Sequence, residues 1–216
     1  PMTSPQRIQR LAACSRLSSA LGLALALSTS GAWAQAQEGR IVQLRGDVRI
    51  NGAPAQPGQT VAAAATVATG ADGRVQLRMA DGTFIALPPG SQVALPRIEP
   101  RLLTFVRGGL RLSASADRVW RIDMPQRFIR TNGFLRLQEC TTSCAEGAGL
   151  LGQVAQGEAV LEYQGGRSVL RARSFRWAAA NLRPEVLTRP SALLDDGSSQ
   201  ADGTRVRAEV AQLLKT

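Results

Sequence analysis

The triplet Ala-Asp-Gly occurs twice within residues 70–91, which read GADGRVQLRMADGTFIALPPGS. Between the two copies, residues 74–79 alternate polar and apolar side chains without interruption. Successive side chains of a β-strand point to opposite faces, so this run would place Val75, Leu77 and Met79 together on one face. The pattern predicts a half-buried strand bounded by two tight corners, which confines this part of the chain to a β-sheet.

An Asp-Gly pair suits such corners, because aspartate tolerates tight turns and glycine accepts positive φ without a Cβ clash. We therefore interpret Gly73, Asp81 and Gly82 as structural turn residues. For this reason Gly82→Val is expected to lower the melting temperature. Asp81→Asn keeps the turn chemistry and removes only the charge, so it is expected to change stability little.

The same pattern continues from residue 39 to about residue 180, with short runs of alternating polar and apolar residues separated by glycine or proline. Sustained short strands at this spacing predict an all-β domain, either a sandwich or barrel or a solenoid-like stack. The spacing alone leaves these arrangements open. No long amphipathic helix interrupts the pattern, and we assign residues 35–183 to this β domain.

The C-terminal residues 184–216 change character. Prolines and a polar run over residues 195–203 predict a linker. The apolar residues that follow recur at helical spacing and predict a short C-terminal helix, which would either dock on the domain or bind a partner. These residues are Val206, Val210, Leu213 and Leu214.

Residues 1–34 have the features of a cleaved secretory signal peptide. Three arginines precede an uncharged stretch over residues 17–30, and Ala32-Trp33-Ala34 has the small-x-small form that signal peptidase accepts. The apolar stretch is shorter than the roughly 20 residues that a membrane-spanning helix needs. We therefore expect export to the periplasm, a mature chain that begins at Gln35, and no stable membrane span after cleavage.

The chain carries 26 basic and 16 acidic residues, a formal net charge of +10. The excess stays positive after removal of the three arginines in the predicted signal. In an exported protein this excess does not point to nucleic acid, so the candidate partners are anionic lipid headgroups, acidic envelope polymers or an acidic protein surface. Arginines that recur singly at strand spacing also fit the solvent-facing positions of a sheet.

Two cysteines, Cys140 and Cys144, lie outside the predicted signal. An oxidising compartment favours a disulfide between them. A redox or metal site is the weaker alternative, because the spacing differs from Cys-x-x-Cys and the chain has no histidine. The absence of histidine also excludes Ser-His and Cys-His arrangements, and the acids are scattered. The sequence therefore predicts no catalytic, cofactor or metal site, and a protein that is not an enzyme.

Four blocks of the chain together form a recognisable pattern. They are Gly39-Arg40-Ile41-Val42 with Gly46-Asp47-Val48, Thr69-Gly70-Ala71-Asp72-Gly73, Val75-Gln76-Leu77 with Asp81-Gly82-Thr83-Phe84-Ile85-Ala86-Leu87 and Ser91, and Val154-Ala155-Gln156-Gly157-Glu158-Ala159-Val160. This pattern resembles the FecR-domain family over residues 39–180 and is most specific in its central block. One departure lies at Thr131-Asn132-Gly133-Phe134, where many members carry a Gly-Thr pair.

The resemblance implies a periplasmic, β-rich module without catalysis. In the best-understood members, the domain belongs to an inner-membrane regulator that passes a signal from an outer-membrane ferric-siderophore transporter to a cytoplasmic sigma factor. This sequence shows no cytoplasmic anti-sigma region. We therefore expect an exported protein-binding or scaffolding module in envelope assembly or signalling. The alternative is a module that binds peptidoglycan or lipopolysaccharide through its arginines.

Overall fold

A computed structural model describes residues 38–97, 99–142, 144–178 and 183–194. All of them belong to the compact unit formed by residues 33–216. The predicted signal peptide and the predicted C-terminal helix lie outside the described residues. Among the described residues, no helix is long and apolar enough to cross a bilayer.

The described residues form β-strands and one 3-10 turn at Ala192–Leu194, so the predicted all-β class is confirmed. In chain order the strands are β1 (Gly39–Arg45), β2 (Val48–Ile50), β3 (Ala53–Pro54), β4 (Thr60–Val61), β5 (Thr66–Thr69), β6 (Arg74–Met79), β7 (Phe84–Leu87), β8 (Gln92–Ala94), β9 (Leu102–Arg107), β10 (Gly109–Ser113), β11 (Trp120–Met124), β12 (Arg127–Cys140), β13 (Gly149–Tyr163), β14 (Gly166–Arg171), β15 (Ser174–Trp177) and β16 (Glu185–Leu187).

The strands hydrogen-bond into one continuous sheet. Its main path runs β3-β2-β5-β8-β9-β11-β12-β10-β7-β6-β1-β4, and β13 joins it through β12 and carries β14 and β15. Among the described strands only β9 and β11 pair in parallel, and the other pairings are antiparallel. A solenoid-like stack of parallel coils is therefore not the arrangement that the chain adopts.

The core forms because the sheet coils back on itself. Ile41 of β1 and Val67 of β5 lie far apart in the strand order, yet both belong to one buried cluster with Trp120 of β11 and Leu161 of β13. The predicted alternation over Arg74–Met79 is confirmed, since its apolar side chains are buried and its polar ones are not. Strand β6 therefore presents an inner apolar face and an outer polar face.

Strands β12 and β13 form a long hairpin that changes partners along its length. The first part of β12 pairs with β11 and the second part pairs with β10. In the same way, β13 pairs with β15 and then with β14. The change occurs where Gly133 lies opposite Gly157, next to a register shift between Phe134 and Leu135.

The segment after residue 183 adds a strand to the sheet. Glu185–Leu187 pairs with β15, and the 3-10 turn that follows buries Leu194. We call residues 183–194 the C-terminal strap. The sequence pattern indicated a linker here, because the segment has two prolines and few apolar residues. A strand of only three residues is too short to show an alternating pattern.

Candidate functional site

The first Ala-Asp-Gly corner is held by the loop between β1 and β2. The N–H of Gly70 donates to the carbonyl oxygen of Asp47 at 2.8 Å, and the N–H of Asp47 donates to a carboxylate oxygen of Asp72 at 3.2 Å. The φ of Gly73 is not positive. A Cβ at Gly73 would instead overlap the Asp47 carbonyl oxygen. Glycine is therefore needed at position 73 because the backbone of Asp47 lies too close for a side chain. The turn pattern suggested a different reason, a positive φ.

A second junction satisfies two buried hydroxyl groups. The hydroxyl of Thr69 donates to the carbonyl oxygen of Pro88 at 2.7 Å and accepts from the N–H of Ser91 at 2.9 Å. The hydroxyl of Ser91 in turn accepts from the N–H of Gly109 at 2.8 Å. Both side chains are buried, so these bonds replace the water that they lose on folding. The junction joins β5, β8 and β10.

The second Ala-Asp-Gly corner reaches into the core. Gly82 has a φ of 85°, and one carboxylate oxygen of Asp81 accepts from the N–H of Thr83 at 2.9 Å. The other oxygen accepts from the indole N–H of Trp120 and from Nε of Arg101, both at 3.2 Å. The Asp81 side chain is only 7% exposed. Trp120 lies 39 positions from Asp81 in the chain, and no local pattern in the sequence announces this contact.

Paired glycines bend the long hairpin. Gly133 has a φ of 82° and Gly157 a φ of 77°, and a Cβ on either would collide with the backbone of the opposite strand. The Asn132 side chain bonds both sides of the bend, donating to the carbonyl of Ala116 and accepting from the N–H of Glu158, each at 2.9 Å. The departure from the family pattern at residues 131–134 therefore coincides with this bend.

A disulfide closes the tip of the long hairpin. Cys140 and Cys144 are joined, with their Cα atoms 6.3 Å apart. Cys140 is buried with Leu151 and Leu194, and Cys144 and Leu187 pack against this small cluster. The disulfide therefore contacts the C-terminal strap as well as its own loop.

Polar contacts also hold the C-terminal strap on the sheet. The guanidinium of Arg136 is 8% exposed, and its Nη1 donates to the carbonyl oxygen of Leu194 at 3.1 Å. Across β15 and β16, Arg176 pairs with Glu185 at 3.2 Å. The strap thus covers the outer side of the hairpin near the disulfide.

The outer face of strands β11 to β14 combines arginine with apolar side chains. The guanidinium of Arg121 lies 4.2 Å from the ring centroid of Phe128, and that of Arg130 lies 5.4 Å from it. Val160 lies opposite Arg130, Val169 lies opposite Val160, and Val169 is 45% exposed. Tyr, Phe and Arg are enriched at protein interfaces. We call this set of five residues the Arg-Phe face.

Acidic residues neutralise part of the positive excess on this face. Arg121 pairs with Asp123 at 2.6 Å, Arg130 pairs with Glu162 at 2.9 Å, and Arg171 pairs with Glu158. Arg121 and Asp123 lie two positions apart on β11, whereas the other two pairs join neighbouring strands. The sequence showed single arginines at strand spacing, and the strand register decides which acid Arg130 and Arg171 meet.

Two titratable groups are shifted from their ordinary behaviour. Hydrogen bonds from Ser115 and Arg118 hold the pKa of Asp117 below its usual value, on a fully exposed loop. Burial lowers the pKa of Arg127, whose guanidinium lies 4.7 Å from the ring centroid of Trp177. These two groups belong to separate elements, so they do not form an acid and base pair.

The described residues contain no group of three or more His, Cys, Asp or Glu side chains that could hold a metal ion. A shallow cavity lies between β10, β12 and the strap. It is lined by Pro88, Arg111, Arg136, Leu137, Gln138, Leu193 and Leu194. The predicted turn residues Gly73, Asp81 and Gly82 lie in corners away from this cavity and do not form a common pocket.

Two solved structures of a candidate anti-sigma factor from Parabacteroides distasonis ATCC 8503 are similar to this chain. The sequence identities are 14% and 13%, and the TM-scores are 0.49 and 0.48. Each alignment covers 58% of this chain and 60% of the solved one. A comparison with curated proteins finds no match.

A family model described as FecR protein matches residues 65–148. The match includes Thr69, Asp81 and Ser91, whose side chains form the junctions above, and it extends past the disulfide. It is shorter than the resemblance at both ends, since β1 and all of β13 lie outside it. The predicted resemblance to the FecR family is therefore confirmed by a family-model match over residues 65–148.

Proposed function

We propose that this chain is a protein-binding or scaffolding module of the bacterial cell envelope, acting without catalysis in assembly or signalling. The observation that carries this proposal is the FecR match over residues 65–148. The family motif residues bond to one another and to the core, so they maintain the fold. This leaves recognition to the outer face of the sheet.

The composition of the Arg-Phe face supports a protein partner. Arg121 and Arg130 stack on Phe128 and pair with carboxylates of the same face. A polyanion would compete with these carboxylates for the guanidinium groups. A protein surface could bury the ring and the valines and leave the ion pairs at the rim.

Photo-crosslinking in the native host would test the proposal. A photoreactive amino acid would replace, one at a time, the exposed apolar residues Val42, Val106, Val119, Val169 and Val186. We expect at least one position to form a discrete adduct with a single envelope protein, identified by mass spectrometry. Gln56, exposed in the loop after β3, serves as the control position. An absence of protein adducts from all five positions would contradict the proposal.

The polymer alternative has its own test. Purified protein would be sedimented with peptidoglycan sacculi and, separately, with lipopolysaccharide vesicles. At about 0.15 M salt we expect the protein to stay in the supernatant, because the arginines of the Arg-Phe face already pair with carboxylates and salt screens the remaining charges. Co-sedimentation that disappears at high salt would favour the polymer over a protein partner.

A further inference from the structure

Strand β14 has a free edge. Among the described strands it pairs only with β13. A two-residue loop joins the two strands, with Tyr163 opposite Gly166. In such a hairpin the residue pair next to the loop is hydrogen-bonded, and hydrogen-bonded and non-hydrogen-bonded pairs alternate from there. Arg167, Val169 and Arg171 fall in the non-hydrogen-bonded pairs, so their backbone N–H and C=O groups point away from β13. These three residues therefore offer unpaired N–H and C=O groups at the edge.

The side chains at the same three positions lie on the outer face. Between them, Leu170 is buried in the core and Ser168 is half-buried. Arg167, Val169 and Arg171 are all exposed. The edge thus presents the pattern Arg-x-Val-x-Arg, with both the backbone and the side chains accessible.

The residues that lie opposite each other on β13 and β14 indicate which side chains a further strand beside β14 would need. Glu162 lies opposite Arg167, and Glu158 lies opposite Arg171 and pairs with it. The middle row is apolar, with Val160 opposite Val169. A further strand would continue each row best with an acid, an apolar residue and an acid, because opposite charges and apolar pairs across strands are favourable.

A second copy of β14 does not meet this requirement. Antiparallel self-pairing centred on Val169 would place Arg167 of one copy opposite Arg171 of the other. Like charges directly opposite each other are destabilising. The charge pattern therefore favours a different, acidic strand over self-association.

We propose that the free edge of β14 binds an extended segment of a partner protein by strand addition. The segment carries an apolar residue flanked by acids two positions before and two positions after it. This inference rests on the proposed function and names the chemistry of its partner. Backbone hydrogen bonds supply affinity, and the alternate side chains supply specificity.

Synthetic peptides provide the probe. A set of labelled nine-residue peptides would carry Glu-Thr-Val-Thr-Glu or Glu-Thr-Ile-Thr-Glu at the centre, with Lys-for-Glu versions as controls. We expect the acidic peptides to bind the intact protein in fluorescence anisotropy. We expect Lys replacement to weaken binding at least about tenfold.

Val169→Pro isolates the backbone contribution, because it removes the outward N–H and leaves the bonds to β13 intact. Val169→Thr is the matched control, since it keeps the N–H and the branched shape. We expect the proline variant to lose at least about tenfold in affinity and the threonine variant to lose little. Arg167→Gln with Arg171→Gln should weaken binding, whereas Arg74→Gln on β6 should not.

Thermal melts of the variants would show that each remains folded. Equal binding of acidic and lysine peptides, equal binding by the proline and threonine variants, or no binding by any peptide at millimolar concentration would overturn the proposal. A dimer of the chain that dissociates on Val169→Pro would also overturn it. A protein adduct in the native host from positions other than Val169 would refute this edge while leaving the proposed function intact.

Discussion

Asp81 accepts hydrogen bonds on both of its carboxylate oxygens, one from the adjoining turn and the other from Trp120 and Arg101. This geometry changes the expectation for Asp81→Asn. In either orientation of the asparagine amide, its N–H₂ group would replace one of the two accepting oxygens. That group would then face either the N–H of Thr83 or the N–H groups of Trp120 and Arg101, which are donors themselves. We expect the free energy of unfolding to fall by about 1–3 kcal/mol, measured by urea denaturation.

Asp72→Asn at the first corner is the matched control for this substitution. The Asp72 side chain is exposed and accepts one backbone N–H, a bond that an amide oxygen can keep. We expect it to change stability by less than about 0.5 kcal/mol. Equal effects at the two corners would contradict the role assigned to the Trp120 contact.

Gly82 tests the backbone conformation of the second corner. Its φ is 85° and no atom lies within 4 Å of a Cβ built there, so only the backbone penalty opposes a side chain. We expect Gly82→Val to destabilise by roughly 1–2 kcal/mol, since a left-handed conformation is costly for a branched residue. Gly82→Asn should cost clearly less, because asparagine tolerates this region. Thermal melts would measure both, and indistinguishable melting temperatures would refute the argument.

At the scale of elements, the bend in the long hairpin depends on two glycines that face each other. A Cβ on Gly133 would meet the carbonyl of Gln156, and one on Gly157 would meet that of Asn132. We expect Gly133→Ala and Gly157→Ala each to lower the free energy of unfolding by about 1–3 kcal/mol, measured by chemical denaturation. The double variant should cost less than the sum, because both substitutions strain one bend.

Gly165→Ala provides the control for the hairpin glycines. Gly165 has a φ of 95° in the β13–β14 loop, and no atom lies within 4 Å of its added Cβ. The control therefore reports the backbone penalty alone. A cost at Gly133 no larger than at Gly165 would argue against the close contact.

The disulfide closes the tip of the hairpin and packs against the C-terminal strap. Replacing Cys140 and Cys144 by serine should lower stability by about 2 kcal/mol on the loop-entropy estimate. It should also accelerate amide hydrogen exchange in the strap, because Leu187 and Leu194 pack against the cysteines. Exchange in β6 and β7 should stay slow after correction for global stability. A uniform increase across all strands would mean that the disulfide does not hold the strap in particular.

For the whole molecule, the formal charge of +10 raises the question of self-repulsion. Ion pairs such as Arg130–Glu162 and Arg171–Glu158 offset part of it, and exposed pairs of this kind contribute little individually. Salt screens both the attractions and the repulsions. We expect the free energy of unfolding to change by less than about 1 kcal/mol between roughly 20 mM and 500 mM NaCl. Denaturation curves at the two salt concentrations would measure this change. A larger rise in the free energy of unfolding with salt would show that repulsion between like charges dominates.

Local patterns in the sequence were enough to predict the strands of the central segment, because period-two alternation records which face of a strand is buried. The run Arg74–Met79 and the all-β class were predicted in this way. The strap was not anticipated, since a strand as short as Glu185–Leu187 carries too few residues to show a period. The sequence also left open whether the strands form a sandwich or barrel or a solenoid-like stack, because spacing along the chain does not fix strand order.

By itself, the sequence determined the all-β class, the positions of the two corners and the resemblance that the FecR match over residues 65–148 confirms. These features depend on neighbouring residues, so they can be read from short windows of the chain. The tertiary structure alone decided that Asp81 meets Trp120, that Gly133 faces Gly157 and that β14 pairs with β13 alone among the described strands. Each of these depends on strand order and register, which are set by packing around a shared core between residues far apart in the chain.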